Sequence, residues 1–195
     1  IMFAQTNLVQ NPGFESDLTS WAAGTGSGYT APAILTTNPH SGLKLAAYEL
    51  PSATTGFYQN VAIAGSTQYT LTFWYKASTA RPEGTTQNNI FRLWSVMKDT
   101  TGTPVYNSAT ANDDPLRSNN GYLPIAPTAW TQHTVVFTSH PSAASIDVAF
   151  RSYGSGSSYV DDVQLVQGVL AVTDVSAFDK SVKMNTVVGN ELRLI

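Results

Sequence analysis

Tyr69-Thr70-Leu71-Thr72-Phe73-Trp74-Tyr75-Lys76 decides the fold. Its large apolar residues, Tyr69, Leu71, Phe73 and Tyr75, recur every second position, with Thr70, Thr72, Trp74 and Lys76 between them. A period of two belongs to a strand, because successive side chains leave a pleated backbone on opposite sides. The same alternation extends outward in both directions. Upstream, Phe57, Gln59, Val61 and Ile63 share a face against Tyr58 and Asn60. Downstream, Phe91, Leu93 and Ser95 oppose Ile90, Arg92, Trp94 and Val96, and Ile146, Val148 and Phe150 oppose Asp147, Ala149, Arg151 and Tyr153. Further strands are expected at Ile34-Leu35, Leu43 to Tyr48, Trp130 to Thr138 and Tyr159 to Leu165. Turns such as Asn38-Pro39-His40-Ser41-Gly42, Gly65-Ser66 and His140-Pro141 separate them, and no amphipathic helical period intervenes. Regular short strands of this kind predict an all-β fold, an antiparallel β-sandwich.

The chain has 195 residues, enough for one generous sandwich and too few for two full domains. Charged residues make up 12% of it, and its polar surface is otherwise Ser, Thr, Asn, Gln and Gly. Ten basic residues are scattered among thirteen acidic ones, for a net charge of −3, which argues against a nucleic-acid partner. Such a surface suits a ligand that hydrogen-bonds without carrying charge. Cysteine is absent, so neither disulfides nor thiolate metal sites arise. No apolar run approaches the roughly 18 residues of a bilayer span, so membrane insertion is not expected. Residues 1–6 read as a secretion-signal remnant or an irregular terminus, 7–167 as the sandwich, and 168–195 as a linker or the start of a further β segment.

Two stretches at opposite ends carry acids in apolar settings. Asn7-Leu8-Val9-Gln10-Asn11-Pro12-Gly13-Phe14-Glu15 joins a short apolar run to a Pro-Gly turn and a carboxylate, with Trp21 shortly after; Tyr159-Val160-Asp161-Asp162-Val163-Gln164-Leu165 is a strand with two acids in it. We expect these ends to meet. A buried carboxylate without a partner costs several kcal/mol, and no Lys or Arg adjoins either motif, so a hard cation bound through oxygen is the economical solution, calcium rather than zinc.

Together the two motifs resemble the family 4, 9 and 22 group of carbohydrate-binding modules, galactose-binding-like β-sandwiches of jelly-roll type, over residues 7–167. The resemblance implies a structural calcium held by Glu15, by carbonyls in the Ser41 to Lys44 turn, and by Asp161, with Asp162 as the alternative. It also implies a polysaccharide or oligosaccharide ligand and a monomeric, non-catalytic module. Such a module is tethered to a catalytic or surface domain of a secreted or cell-surface bacterial protein.

Sugars present C–H faces ringed by hydroxyls, so flat aromatic rings flanked by hydrogen-bonding side chains recognise them. Trp74, Arg92, Trp94, Arg151 and Tyr153 lie opposite the apolar faces of their strands and are expected to share one groove, bordered by Tyr58 and closed by Arg117 and Tyr122 on the long polar excursion from Asn107 to Thr128. Trp21 and Trp130 are assigned to the core. Catalysis is not favoured, since no convincing carboxylate pair stands outside the expected metal site and neither a Gly-x-Ser-x-Gly elbow nor a phosphate loop occurs. Two other readings remain open: a structural or adhesive sandwich, and a polysaccharide lyase.

Overall fold

The computed structural model describes residues 5–78, 90–117, 121–154 and 156–168. Residues 1–4 of the expected leader remnant (1–6), 79–89 of the polar loop that begins at Ser78, and 169–195 of the C-terminal segment (168–195) lie outside the described residues. Eleven strands are described in chain order: β1 (Ala22–Ala23), β2 (Ala33–Leu35), β3 (Leu45–Tyr48), β4 (Thr55–Ala62), β5 (Gln68–Ala77) and β6 (Phe91–Leu93). After them come β7 (Val96–Lys98), β8 (Pro104–Val105), a 3₁₀ turn at Pro115–Arg117, β9 (Ala126–Thr138), β10 (Ser145–Ser152) and β11 (Ser158–Gln167).

These strands form two antiparallel sheets. The first runs β1-β4-β10-β7-β8, with β6 also paired to β10; the second runs β2-β3-β11-β5-β9. Alternation explains what lies between them. Phe57 and Val61 from β4, Phe91 and Leu93 from β6, and Ile146, Val148 and Phe150 from β10 face Leu71, Phe73 and Tyr75 from β5 and Val160 and Leu165 from β11, all buried. Across the two layers the rings of Phe73 and Phe150 meet edge-on at 4.8 Å. Gln59 also points inward, and its amide is satisfied there by the backbone of Gln10 at 2.7 and 2.9 Å.

The N-terminal segment is built into this sandwich. In β11 the register against β5 shifts between Asp161 and Gln164, with Asp162 at a φ of 49°. Asn7 fills the gap this bulge leaves. Its amide nitrogen donates to the Val163 carbonyl at 3.0 Å, while its amide oxygen accepts from the N–H groups of Leu165 and Val9 at 2.9 and 3.1 Å. Val163 donates in turn to the Pro12 carbonyl at 3.0 Å. Phe14 then turns into the core with a φ of 58° and no exposed surface, 5.2 Å from Trp21 and 6.1 Å from Phe57.

Two strands differ from their sequence reading. Ile90 to Lys98 is not one strand, because it breaks at Trp94-Ser95 into β6 and β7. At the break the Ala149 N–H donates to the Ser95 hydroxyl at 3.0 Å, and the Ser95 carbonyl accepts from Arg117 Nε at 2.7 Å. In β9, Trp130 is not a core residue. It lies on the outer face of the second sheet, under Lys76 Nζ at 4.6 Å, and its indole N–H reaches the Asn38 carbonyl at 3.2 Å.

Asn7→Ala strands two N–H groups and a carbonyl at the bulge. It is expected to lower the unfolding free energy by about 2–4 kcal/mol in urea titrations. His133 on β9 packs against Phe73 at 5.2 Å, and burial pulls its imidazole below its ordinary value. The unfolded chain then takes up a proton that the folded chain refuses, so this residue's contribution to stability is complete above about pH 6.5 and is lost as pH falls below it. The melting temperature of His133→Gln is therefore expected to fall less than that of the wild type between about pH 7.5 and pH 5.

Candidate functional site

The break at Ser95 shapes the outer face of the first sheet. Tyr58 from β4, Ala149 and Arg151 from β10, and Trp94 and Val96 from the β6–β7 junction form a floor there. Tyr29 in the loop before β2, and Tyr106, Ala111 and Arg117 after β8, stand over it as walls. The result is a cleft of roughly 280 Å³. Tyr29 lies so close to the preceding loop that a Cβ on Gly26 would collide with its ring.

Trp94 sits at the centre of three cations. The guanidinium carbons of Arg92, Arg117 and Arg151 lie 4.1, 4.0 and 4.0 Å from its ring. Arg117 is buried and donates from Nε to the Ser95 carbonyl and from Nη1 to the Ala111 carbonyl at 3.3 Å. Burial, opposed by Tyr106 and reinforced by the charge of Arg92, pulls its guanidinium below its ordinary value. Arg92, also buried, donates to Asn112 at 3.0 Å and to the Tyr153 hydroxyl at 3.2 Å, beneath the ring of Tyr122. Tyr122 and Tyr153 stack at 5.8 Å. Burial pushes the Tyr153 phenol up, but hydrogen bonds with Tyr122 and Arg92 and the Arg92 charge outweigh it, and the net shift is downward.

Of the residues expected in one groove, Tyr58, Trp94, Arg117 and Arg151 line the cleft, and Arg92, Tyr122 and Tyr153 adjoin it behind Trp94. Trp74 does not. It belongs to β5 in the second sheet, so its outward face is on the far side of the sandwich. There it stacks on His40 at 3.9 Å and borders a separate hollow with Asn7, Thr72, Gln132 and Gln164. The correction has a simple cause: alternation tells which side of its own strand a residue takes, and pairing alone tells which sheet the strand joins. Sequence reasoning missed Tyr29, Tyr106, Lys98 and Asp147 at the cleft. Tyr29 and Tyr106 fall in loops, where no period marks a face. Lys98 and Asp147 form an ion pair at 2.6 Å, and Asn60 donates to the same carboxylate at 2.7 Å.

The acids of the two end motifs come to one turn. Asp161, with no exposed surface, accepts from the amides of His40 and Ser41 at 2.8 and 3.2 Å on one oxygen and from Asp162 N–H at 2.8 Å on the other. Burial and then the Asp162 charge push its carboxyl up to about 6. Glu15 Oε1 accepts from Leu43 and Lys44 N–H at 2.8 and 3.1 Å. Gly42, at a φ of 60°, lies against that oxygen so closely that any Cβ would collide with it. His40 Nδ1 and Ser41 Oγ bond the two oxygens of Asp162 at 2.5 and 2.7 Å. Among the described residues no three His, Cys, Asp or Glu side chains gather as metal ligands, so an ion here would lean on backbone carbonyls as well as on Glu15 and Asp161.

No family model matches the sequence, and no curated protein does. Solved structures do match. A family 16 carbohydrate-binding module is 23% identical with a TM-score of 0.56, over 82% of this chain and 99% of its own. The CBM22-1 xylan-binding domain of Paenibacillus barcinonensis Xyn10C is 12% identical with a TM-score of 0.58, over 88% of this chain and 100% of its own. The enzymatically active domain of tailspike protein 4 from bacteriophage CBA120 is 17% identical with a TM-score of 0.62. That match covers 83% of this chain but 21% of the tailspike chain, so this chain spans about a fifth of that protein's length. At these identities the likeness is one of architecture: the chain shares the antiparallel β-sandwich fold of these solved modules.

Proposed function

We propose that this chain is a non-catalytic carbohydrate-binding module that takes a saccharide in the cleft on the first sheet. The observation that carries the reading is the lining of that cleft, with Tyr29, Tyr58 and Tyr106 around the Trp94 cluster on a rigid strand floor. Phenol rings offer apolar faces to sugar C–H groups and hydroxyls to sugar hydroxyls, the two chemistries a pyranose presents. The solved modules of the same architecture, one of them described as xylan-binding, support it. The one carboxylate lining the cleft among the described residues, Asp147, is held by Lys98 and Asn60, which suits binding better than glycosidic hydrolysis by two acids. The module's role is to hold a tethered catalytic or surface domain of a secreted bacterial protein near its polysaccharide. Among the described residues no helix is long and apolar enough to cross a membrane.

We also propose a structural calcium at the turn that Glu15 and Asp161 share. The fit rests on Asp161, a carboxylate wholly buried beside a second acid with no Lys or Arg paired to it among the described residues. Glu15, Asp161 and carbonyls between Ser41 and Lys44 would hold the ion. Bound there, it supplies positive charge to two carboxylates and ties the first motif to the last strand.

Isothermal titration against a glycan panel tests the binding reading. Tyr29→Ala is expected to weaken any binding about tenfold, the equivalent of one lost stacking contact of about 1.4 kcal/mol. Trp74→Ala, on the other sheet, is expected to leave it unchanged. The reverse pattern would move the site to the second sheet, and silence across the panel would refute sugar binding. For the ion, 1 mM calcium is expected to raise the melting temperature of EDTA-treated protein by several degrees, a response that Glu15→Gln removes. An unchanged melting curve on adding calcium would dismiss it.

A further inference from the structure

Among the described residues, two of the three guanidinium groups around Trp94 have no acid bonded to them. Arg117 and Arg151 line the cleft, and neither forms an ion pair with any described residue. Arg117 meets only backbone carbonyls through Nε and Nη1. Arg151 Nε is buried and has no hydrogen-bond acceptor among the described residues. The nearby acids are already engaged. Asp147 is bound by Lys98, and the buried Asp114 accepts from the N–H groups of Asn107 and Leu116 at 2.8 and 2.9 Å, so its charge offsets part of the cluster without bonding a guanidinium.

The indole does not balance that charge. A cation over an aromatic face gains modestly, while like charges crowded around one ring in a partly buried site repel each other by a comparable amount. The placement of Arg117 and Arg151 within 4.0 Å of its ring also changes what Trp94 is for. Covered by guanidinium groups, it serves as a post that arrays cations rather than as an open platform for a sugar ring. The wall tyrosines are covered more loosely, with Arg151 5.6 Å from the Tyr29 ring and Arg117 5.8 Å from the Tyr106 ring, so they remain the more open platforms. An anion in the cleft would face the guanidinium charges of Arg151 and Arg117, and a guanidinium's planar fork matches the paired oxygens of a carboxylate or a sulfate ester.

We propose that the cleft selects an acidic saccharide, whose anionic group docks against Arg151 and Arg117 while a pyranose face rests on Tyr29 or Tyr106. The proposal rests on the sugar-binding reading and deepens it to a ligand class. A chain with a net charge of −3 thereby concentrates its local positive field at one cleft, where it attracts a polyanion without making the whole surface sticky.

The test is titration of the full chain with three sets of probes: oligogalacturonate and alginate oligomers for carboxylates, chondroitin sulfate oligomers for sulfate esters, and xylo- and cello-oligosaccharides as neutral controls. At least one acidic set is expected to bind at least tenfold more tightly than the neutral set, and the tighter set assigns the anion as carboxylate or sulfate. The preference is expected to shrink as NaCl rises from about 50 to 500 mM. Arg151→Gln is expected to remove the preference, and Arg151→Lys to keep part of it. Because Arg151 is half-buried, circular dichroism melts accompany each variant, and wild-type salt dependence stands as a readout that needs no variant. Binding of neutral oligosaccharides alone overturns this proposal and leaves the sugar-binding reading standing. Binding of nothing overturns both. Equal binding of duplex DNA and acidic glycans, or a preference that survives Arg151→Gln in a folded variant, overturns the acidic-saccharide assignment.

Discussion

A buried carboxylate with no Lys or Arg paired to it among the described residues governs how this sandwich closes. Asp161 sits in the middle of the second sheet with no exposed surface, and the chain answers by bringing the amides of His40, Ser41 and Asp162 to its two oxygens. That arrangement depends on the bulge in β11, which breaks the pairing with β5 and opens a slot in the ladder. Asn7 occupies the slot, and Phe14 is thereby delivered into the core beside Trp21. The first strand-like segment, the second-sheet turn and the last strand are therefore one cooperative unit. Its members come from opposite ends of the sequence.

The first sheet shows the same logic turned toward function. A strand that ran unbroken from Phe91 to Lys98 would use its main-chain groups in the ladder. At Ser95 the hydroxyl takes over the Ala149 N–H, and the freed carbonyl anchors Arg117 from a loop more than twenty residues later. Local loss of pairing thus becomes a fixed attachment point for the cleft wall. The strand floor holds Arg151 by β pairing, and the Ser95 and Ala111 carbonyls hold Arg117, so the two guanidinium groups flank Trp94 from independently secured positions.

How much of this could be read in advance follows from which information is local. Face alternation is local, so Phe57, Phe73, Val148 and Phe150 could be assigned inward, and Tyr58, Trp94 and Arg151 outward, from their own strands. Sheet membership is global, so alternation alone groups Trp74 with Trp94 although a whole sandwich separates their faces. Aromatic content misled for Trp130, since a large indole can pack under a lysine stem and a histidine at 5.9 Å on an outer face as well as inside. Tyr29 and Tyr106 left no periodic trace at all. That the two end motifs meet is legible because acids in an apolar strand such as β11 need compensation, whereas the turn that receives Glu15 and Asp161 is implied only by the family resemblance.

The cleft has a floor and walls of different origin. Its floor is drawn from β4, the β6–β7 junction and β10, whose register is locked by the core beneath. Its walls come from loops around Tyr29 and between Tyr106 and Arg117, whose exchange disturbs no pairing in either sheet. Such a division lets lineages of this architecture retune what they recognise by swapping short surface segments, while the foundation beneath stays the same.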